Sequence, residues 1–176
     1  PDTLAYCGAT TATLSLAKPL SASGKLAFRR GVSDSTTLFG FFNATYSVKV
    51  TESQQDALPR DFAGFAIEGP SAEGFFAYPT YRTDGTEHCA SGYEGFPVIY
   101  PDGASHAWEF RYAPPVGNGP GTLTFILDNA APAVREIPAE HLAEGASFDR
   151  FGFVSPWIDG NGQIVYLDDV TYTVEQ

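Results

Sequence analysis

The sequence predicts an all-β protein built as a two-sheet antiparallel sandwich or jelly roll. Three observations support this fold class. Apolar and polar residues alternate with a period of two in many short runs, which is typical of half-buried strands. Turn-forming residues separate these runs, with 18 Gly and 13 Pro in 176 residues. Aromatic side chains, which favour strands, make up 14% of the chain.

About ten to twelve short strands are expected. The predicted strands cover residues 11–16, 25–30, 37–42, 45–51, 62–68, 74–78, 105–112, 121–128, 148–154 and 163–174. The clearest hairpin joins 105–112 to 121–128 across a turn rich in Pro and Gly. Residues 138–145 form the one predicted helical turn. Residues 80–104 are irregular, and a loop of this length is usually functional or pinned at the rim of a domain.

The last predicted strand, 163–174, is expected to close the core. Apolar residues occupy both of its faces, as in an inner strand of a sandwich. Asp168 and Asp169 interrupt this run. Because neighbouring residues of a strand point to opposite faces, we expect at least one carboxylate to point inward, where it needs a cation, an arginine or several N–H donors.

Length and charge limit the organisation and the partners of the chain. Residues 1–176 are enough for a single β-sandwich domain. The absence of Met indicates either a processed mature form or, as we favour, a domain excised from, or attached to, a larger secreted protein. The net charge of -11 argues against nucleic acid as a partner, because phosphate binding relies on clustered cations. No apolar run reaches the length of a membrane span.

The two cysteines leave two interpretations open. Cys7 and Cys89 suit one disulfide that ties the first strand to the middle of the domain in an oxidising compartment. Two buried free thiols are the alternative.

Four segments together resemble a known superfamily. These are Trp-Glu-Phe-Arg-Tyr at 108–112, Gly-Thr-Leu-Thr-Phe at 121–125, Phe-Asp-Arg-Phe-Gly at 148–152 and Val-Tyr-Leu-Asp-Asp-Val at 165–170. Their order is similar to that of the concanavalin A-like lectin and glucanase superfamily, and the ending also resembles jelly-roll carbohydrate-binding modules, whose last strand often carries an Asp-Asp pair. The resemblance implies two curved sheets with a glycan-facing concave side and, often, a structural calcium ion.

Asp168 and Asp169 are the predicted calcium ligands. Calcium prefers six to eight oxygen ligands, and carboxylates on a closing strand together with loop carbonyls can supply them. The alternative is a carboxylate that is capped by backbone N–H groups or paired with Arg150.

Sugar binding requires aromatic faces together with side chains that bond hydroxyl groups. Trp157 is the predicted stacking platform because it follows a proline in a loop instead of lying in an alternating strand. The side chains expected to line the rim of a groove lie in or beside the irregular stretch, and they are Tyr81, Arg82, Tyr93 and Glu94. We expect Trp108 to be a core residue, because Phe110 and Tyr112 share its face.

Motifs for catalysis are weak in this sequence. The Glu-x-Asp-x-x-Glu strand motif of retaining glucanases is absent, as are phosphate loops and Gly-x-Ser-x-Gly elbows. A polysaccharide lyase needs His, Tyr and Arg groups to neutralise a uronate and move its proton. Residues that could supply such a set are Tyr81, Arg82, His88, His106, Arg111 and Tyr112, and the alternative is structural tyrosines with exposed histidines.

The sequence therefore predicts a secreted, non-catalytic, lectin-like module that binds an extracellular polysaccharide. An enzyme on the same fold, either a polysaccharide lyase or a glycoside hydrolase, is the first alternative. A calcium-stabilised structural or adhesion module is the second. Neighbouring domains of a larger chain are the other expected partners.

Overall fold

Strands dominate the computed structural model, which describes residues 5–31, 35–44, 58–69, 74–88, 95–154 and 163–176. The elements in chain order are β1 (Ala5–Ser15), β2 (Leu20–Arg30), β3 (Ser35–Phe42), β4 (Phe62–Gly69), β5 (Phe75–Thr83), β6 (Thr86–His88), β7 (Val98–Ile99), β8 (Ser105–Ala113), β9 (Gly121–Leu127), β10 (Ala133–Ile137), α1 (Ala139–Ala143), β11 (Ser147–Val154) and β12 (Ile164–Tyr172). No helix among these elements is long and apolar enough to cross a bilayer.

Two antiparallel sheets form the predicted sandwich. The large sheet has the spatial order β1, β11, β3, β4, β5, β6, and β7 also pairs with β5. The small sheet has the order β10, β9, β8, β2, β12. The all-β, two-sheet architecture predicted from the alternating pattern is confirmed.

An aromatic core joins the two sheets. Phe39 of the large sheet meets the ring of Trp108 of the small sheet edge-on, with ring centroids 5.1 Å apart. The rings of Phe65 and Phe125 stack at 4.4 Å. Such aromatic pairs add roughly 0.5–1.5 kcal/mol beyond the burial of their area. Trp108 is only 3% exposed, which confirms that it belongs to the core.

The outer face of the large sheet is also buried. Because strand residues alternate, Leu38 and Phe42 point away from the core that Phe39 and Phe41 fill. A second apolar cluster occupies this face, and its buried members are Leu38, Phe42, Leu58, Phe62, Ala66, Tyr78 and Val154. Residues before β4 and before β7, among them Leu58 and the partly buried Phe96, pack against the sheet there. In the described part of the chain, this face therefore offers no open binding surface.

The pairing of β12 corrects one expectation from the sequence. This strand was predicted as an inner strand, but it lies at the edge of the small sheet and pairs with β2. Val165, Leu167, Val170 and Tyr172 pack on the core, whereas Ile164 and Tyr166 are exposed. Although the second face of β12 carries the apolar residues Ile164 and Tyr166, this face is therefore not buried.

Other boundaries differ from the predicted ones because strand pairing is not local. β5 extends to Thr83, and β6 and β7 lie within the stretch predicted to be irregular. The end of β5 is polar, but it remains a strand because Arg82 pairs with Phe62 of β4. β10, which pairs with β9, was not predicted. The strand predicted at 45–51 lies outside the described residues.

Candidate functional site

The outer face of the small sheet is open to solvent. Its residues alternate with the buried side chains of the same strands, so their side chains point away from the core. The exposed or half-exposed residues of this face include Ser21, Ser23, Lys25, Ala27 and Arg29 on β2, Ala107, Glu109 and Arg111 on β8, Thr122, Thr124 and Ile126 on β9, and Tyr166, Asp168, Thr171 and Thr173 in and after β12. We call this surface the polar face.

Hydroxyl groups connect β2 to the edge strand. The hydroxyls of Ser23 and Thr171 are 3.0 Å apart, and those of Ser21 and Thr173 are 3.3 Å apart. The Ser21 N–H also donates to Thr173 Oγ1 at 3.0 Å. These bonds fix the orientation of the hydroxyls and leave further hydrogen-bonding capacity, because each hydroxyl has one donor and two acceptor positions.

Two cations of the polar face are paired with carboxylates. Lys25 Nζ lies 2.6 Å from Asp169 Oδ2, and the Arg111 guanidinium contacts the Glu109 carboxylate. The hydrogen bond and the charge of Asp169 raise the pKa of Lys25. Exposed pairs of this kind add little to folding stability. Their effect is that Lys25 and Arg111 each already have a carboxylate partner.

Asp128 is held at the end of the same face. Its carboxylate accepts a hydrogen bond from the Ala107 N–H at 2.8 Å and lies 2.8 Å from His106 Nδ1. Partial burial alone would raise the pKa of Asp128, but the hydrogen bonds to His106 and Ala107 outweigh it and lower the pKa.

Two adjoining grooves follow β2 across the polar face. The first has a volume of about 340 Å³ and is lined by Ser23, Gly24, Lys25, Ala107, Trp108, Glu109, Ile126, Asp128 and Asp169. The second has a volume of about 280 Å³ and is lined by Ser21, Ala22, Ser23, Glu109, Thr171, Tyr172 and Thr173. Ser23 and Glu109 belong to both. The grooves therefore present carboxylates and hydroxyls along one continuous strip.

Tyr166 supplies an exposed aromatic ring beside this strip. It pairs across the strands with Ala27, whose small side chain leaves the ring uncovered, and it is 60% exposed. The sequence alone did not single out Tyr166, because the alternation of β12 was interpreted as core on both faces. Paired carboxylates in an apolar strand are a signal that could have identified an exposed edge.

The side chains of Asp168 and Asp169 do not point in the direction that the sequence predicts for at least one of them. Both are exposed, and neither points into the core. The register of β12 against β2 shifts between Asp168 and Thr171, and Asp169 adopts a φ of 52°. Aspartate tolerates this left-handed conformation, and the bulge turns its side chain towards Lys25.

Calcium at these aspartates stays a prediction. Asp168 Oδ1 accepts a hydrogen bond from the Asp169 N–H at 2.9 Å, and Lys25 engages Asp169. Among the described residues, no group of three or more His, Cys, Asp and Glu side chains is placed to hold a metal ion.

Tyr81 and Arg82 lie in β5 and not in a loop. Tyr81 points into the core between the sheets and is 2% exposed, whereas Arg82 points to the opposite face and is 3% exposed. The guanidinium of Arg82 donates to the carbonyls of Pro59 and Gly85 at 2.8 and 2.6 Å. Neither side chain has the exposure expected of a groove rim.

A cluster of rings surrounds Tyr81 at the edge of the sandwich. The Tyr81 hydroxyl lies 2.7 Å from His141 Nδ1, and His88 stacks on both Tyr81 and His141. The Arg135 guanidinium lies 5.5 Å from the centroid of the Tyr81 ring. Burial raises the pKa of Tyr81, while the charge of Arg135 opposes this shift. The side chains around Tyr81 are of the types that transfer protons, but its hydroxyl is buried.

The other residues considered for a lyase do not join this cluster. His106 and Arg111 lie on β8 with their carboxylate partners. Tyr112 is buried, and its hydroxyl donates to the Leu16 carbonyl at 2.7 Å. Burial raises the pKa of Tyr112 to about 12. The six predicted residues therefore do not form one site.

Several predicted residues cannot be placed. Trp157, Tyr93, Glu94 and Cys89 lie outside the described residues, as does the side chain of Cys7. Their roles in stacking, groove formation and disulfide bonding stay predictions.

Comparisons with known proteins identify the fold. No protein-family model matches the chain, and no curated protein matches it. The alginate lyase Aly36B aligns with a TM-score of 0.53 and 9% identity over 95% of this chain and 74% of the lyase. A double mutant of Aly36B in complex with alginate tetrasaccharide aligns with a TM-score of 0.52 and 12% identity over 99% and 81% of the two chains. The alginate lyase from Klebsiella pneumoniae aligns with a TM-score of 0.50 and 9% identity over 89% and 60%.

At these identities, the similarity concerns the fold. It agrees with the arrangement of the two sheets and with the resemblance found in the sequence. The chain therefore shares a two-sheet β-sandwich fold with these alginate lyases.

Proposed function

We propose that this protein is a non-catalytic carbohydrate-binding module that holds an extracellular polysaccharide on the polar face. The observation that carries the proposal is the position of the two adjoining grooves beside the exposed ring of Tyr166. In the described part of the chain, the outer face of the other sheet is buried.

The chemistry of the polar face suits a sugar chain. Glu109 and Asp128 can accept hydrogen bonds from sugar hydroxyls, and Ser23 and Thr171 can both donate and accept. Tyr166 offers an aromatic face to the apolar side of a sugar ring. One protein of similar fold is known in complex with an alginate oligosaccharide, which supports a polysaccharide as the class of ligand. Secretion stays a prediction from the sequence.

A polysaccharide lyase is the second candidate function. The hydrogen bond between Tyr81 and His141 favours it, because these groups could exchange a proton. Against it, Tyr81 is 2% exposed, so a polymer would have to displace the elements around it to reach the hydroxyl. Lyase activity would generate an unsaturated product that is detected by ultraviolet absorbance.

Native affinity electrophoresis tests the binding proposal. The protein is run through gels that contain neutral or acidic polysaccharides, with a polymer-free gel as reference. We expect at least one polymer to retard the wild type, and Tyr166→Ala to lose most of this retardation. Tyr100→Ala is the matched control, because Tyr100 is 56% exposed and lies after β7 of the large sheet.

The possible results separate the functions. Equal retardation of Tyr166→Ala and Tyr100→Ala would remove the polar face from the binding site. No retardation in any gel would favour the structural or adhesion module, and an unsaturated product would favour the lyase.

A further inference from the structure

The cations in and beside the grooves are paired with neighbouring carboxylates. Lys25 is held by Asp169 at 2.6 Å, and Arg111 contacts Glu109. Asp128 and Asp168 add two further carboxylates, so in and beside the grooves Lys25 and Arg111 stand against four acidic groups. Among the described residues, this part of the polar face therefore has an excess of negative charge, and both of these cations have a carboxylate partner.

Binding of an acidic sugar would require one of these pairs to open. A carboxylate or sulfate group placed near Lys25 would compete with Asp169 and leave two anions side by side. Two like charges at contact distance repel each other, and they do so more strongly near a protein surface than in bulk water. A neutral hydroxyl has no such cost, because it can donate to the carboxylates that are present.

Arg29 does not supply the missing cation. It lies on the same side of β2 as Lys25, two residues beyond Ala27, but its side chain packs over Gly103. A Cβ at Gly103 would lie 2.7 Å from Arg29 Nη1, which shows how closely the guanidinium covers this loop. Arg29 lines neither groove.

The grooves also favour an extended ligand. They follow β2 from Ser21 to Lys25, and Tyr166 continues the same face beside Ala27. Six residues of a strand separate Ser21 from Ala27, which corresponds to about 20 Å. A strip of this length suits a linear chain of several sugar units more than a single monosaccharide.

Resting on the proposed function, we infer that the polar face takes an extended neutral polysaccharide and rejects acidic ones, and that Asp169 determines this specificity by holding Lys25. Asp169 acts through Lys25: it keeps the ammonium group from an acidic sugar. Rejection of the wrong ligand by a placed charge is a common way to obtain specificity.

Asp169→Asn tests this role. The variant removes the charge that holds Lys25 and keeps the shape of the side chain, and asparagine tolerates the φ of 52°. We expect neutral polymers to retard the wild type and alginate not to do so. Asp169→Asn should gain retardation by alginate, and this gain should disappear when salt screens the charge.

Asp84→Asn is the matched control. Asp84 is also an exposed aspartate with a positive φ, and it pairs with Arg60 away from the polar face. It therefore has the same change in net charge and breaks an ion pair elsewhere. We expect no gain of retardation by alginate in this variant.

The possible results distinguish the inference, the role of Asp169 and the proposed function. Retardation of the wild type by alginate that Tyr166→Ala abolishes would overturn the inference and leave the proposed function standing. An equal response of Asp169→Asn and Asp84→Asn would overturn the role of Asp169. Failure of every polymer, neutral or acidic, to retard the wild type would overturn the proposed function itself.

Discussion

The imidazole rings of His88 and His141 stack face to face, with centroids 3.7 Å apart and planes inclined by 22°. This contact joins β6 of the large sheet to α1. His88 Nε2 also lies 2.9 Å from the Thr83 hydroxyl. Because a second charge at this separation would repel a charged imidazole, the contact favours the neutral form of His88.

The first prediction concerns the effect of pH on stability. Burial lowers the pKa of His88, and the charges of His141, Arg135 and Arg82 lower it further, whereas Glu144 opposes the shift. The unfolded chain, with a histidine pKa of about 6.5, then binds the proton more readily than the folded chain. The stabilisation is complete above this pKa and is lost as the pH falls towards the lower pKa of the folded state.

Thermal unfolding between about pH 8 and pH 5 measures this effect. We expect the melting temperature of the wild type to fall as the pH is lowered over this range. His88→Phe keeps an aromatic ring in the stack and should reduce this dependence. The same slope in both proteins would assign the pH dependence to other groups.

Local sequence patterns predict much of this fold. The hairpin of β8 and β9 was predicted nearly to the residue, because Trp108, Phe110 and Tyr112 alternate with polar residues and a strong turn follows. The core position of Trp108 followed from the same pattern.

The candidate site could be predicted less well, because it depends on which strands are neighbours. An edge strand and an inner strand can have the same alternation, so the exposure of Tyr166 was not visible in the sequence. The direction of Asp168 and Asp169 depends on a bulge that the pairing with β2 reveals. Tyr81 was expected at the rim of a groove because the polar residues that follow it are not typical of a strand, although β5 extends to Thr83.

The second prediction concerns the buried hydrogen bond of Tyr112. Its hydroxyl donates to the Leu16 carbonyl, and both groups are buried. Tyr112→Phe would leave this carbonyl without that donor, and we expect a loss of about 1–3 kcal/mol in the free energy of unfolding. Urea denaturation measures the loss. Tyr166→Phe is the control, because its exposed hydroxyl can bond to water, and an equal loss in both variants would contradict the explanation.

The third prediction concerns calcium. An ion that binds the folded chain at Asp168 and Asp169 stabilises it by mass action, so added calcium should raise the melting temperature. The rise should be absent in Asp168→Asn. Because Lys25 occupies the Asp169 carboxylate, Lys25→Met should strengthen the response. A melting temperature of the wild type that does not change with calcium or chelator would contradict the predicted site.

The fourth prediction concerns the indole N–H of Trp108. Nε1 is buried and has no hydrogen-bond partner among the described residues, although the ring packs against Phe39 and Phe65. An unsatisfied buried donor costs about 1–3 kcal/mol. Trp108→Phe removes this cost but also removes packed ring atoms, and replacement of a large side chain by a smaller one typically costs energy of similar size.

These two effects oppose each other, so we expect Trp108→Phe to change the free energy of unfolding by no more than about 1 kcal/mol. Phe65→Leu is the comparison. It also reduces an aromatic side chain in the same cluster, but it relieves no unsatisfied donor, and it loses the stacked contact with Phe125. We therefore expect it to be clearly more destabilising in urea. If Trp108→Phe were the more damaging of the two, packing of the indole would outweigh its unsatisfied N–H.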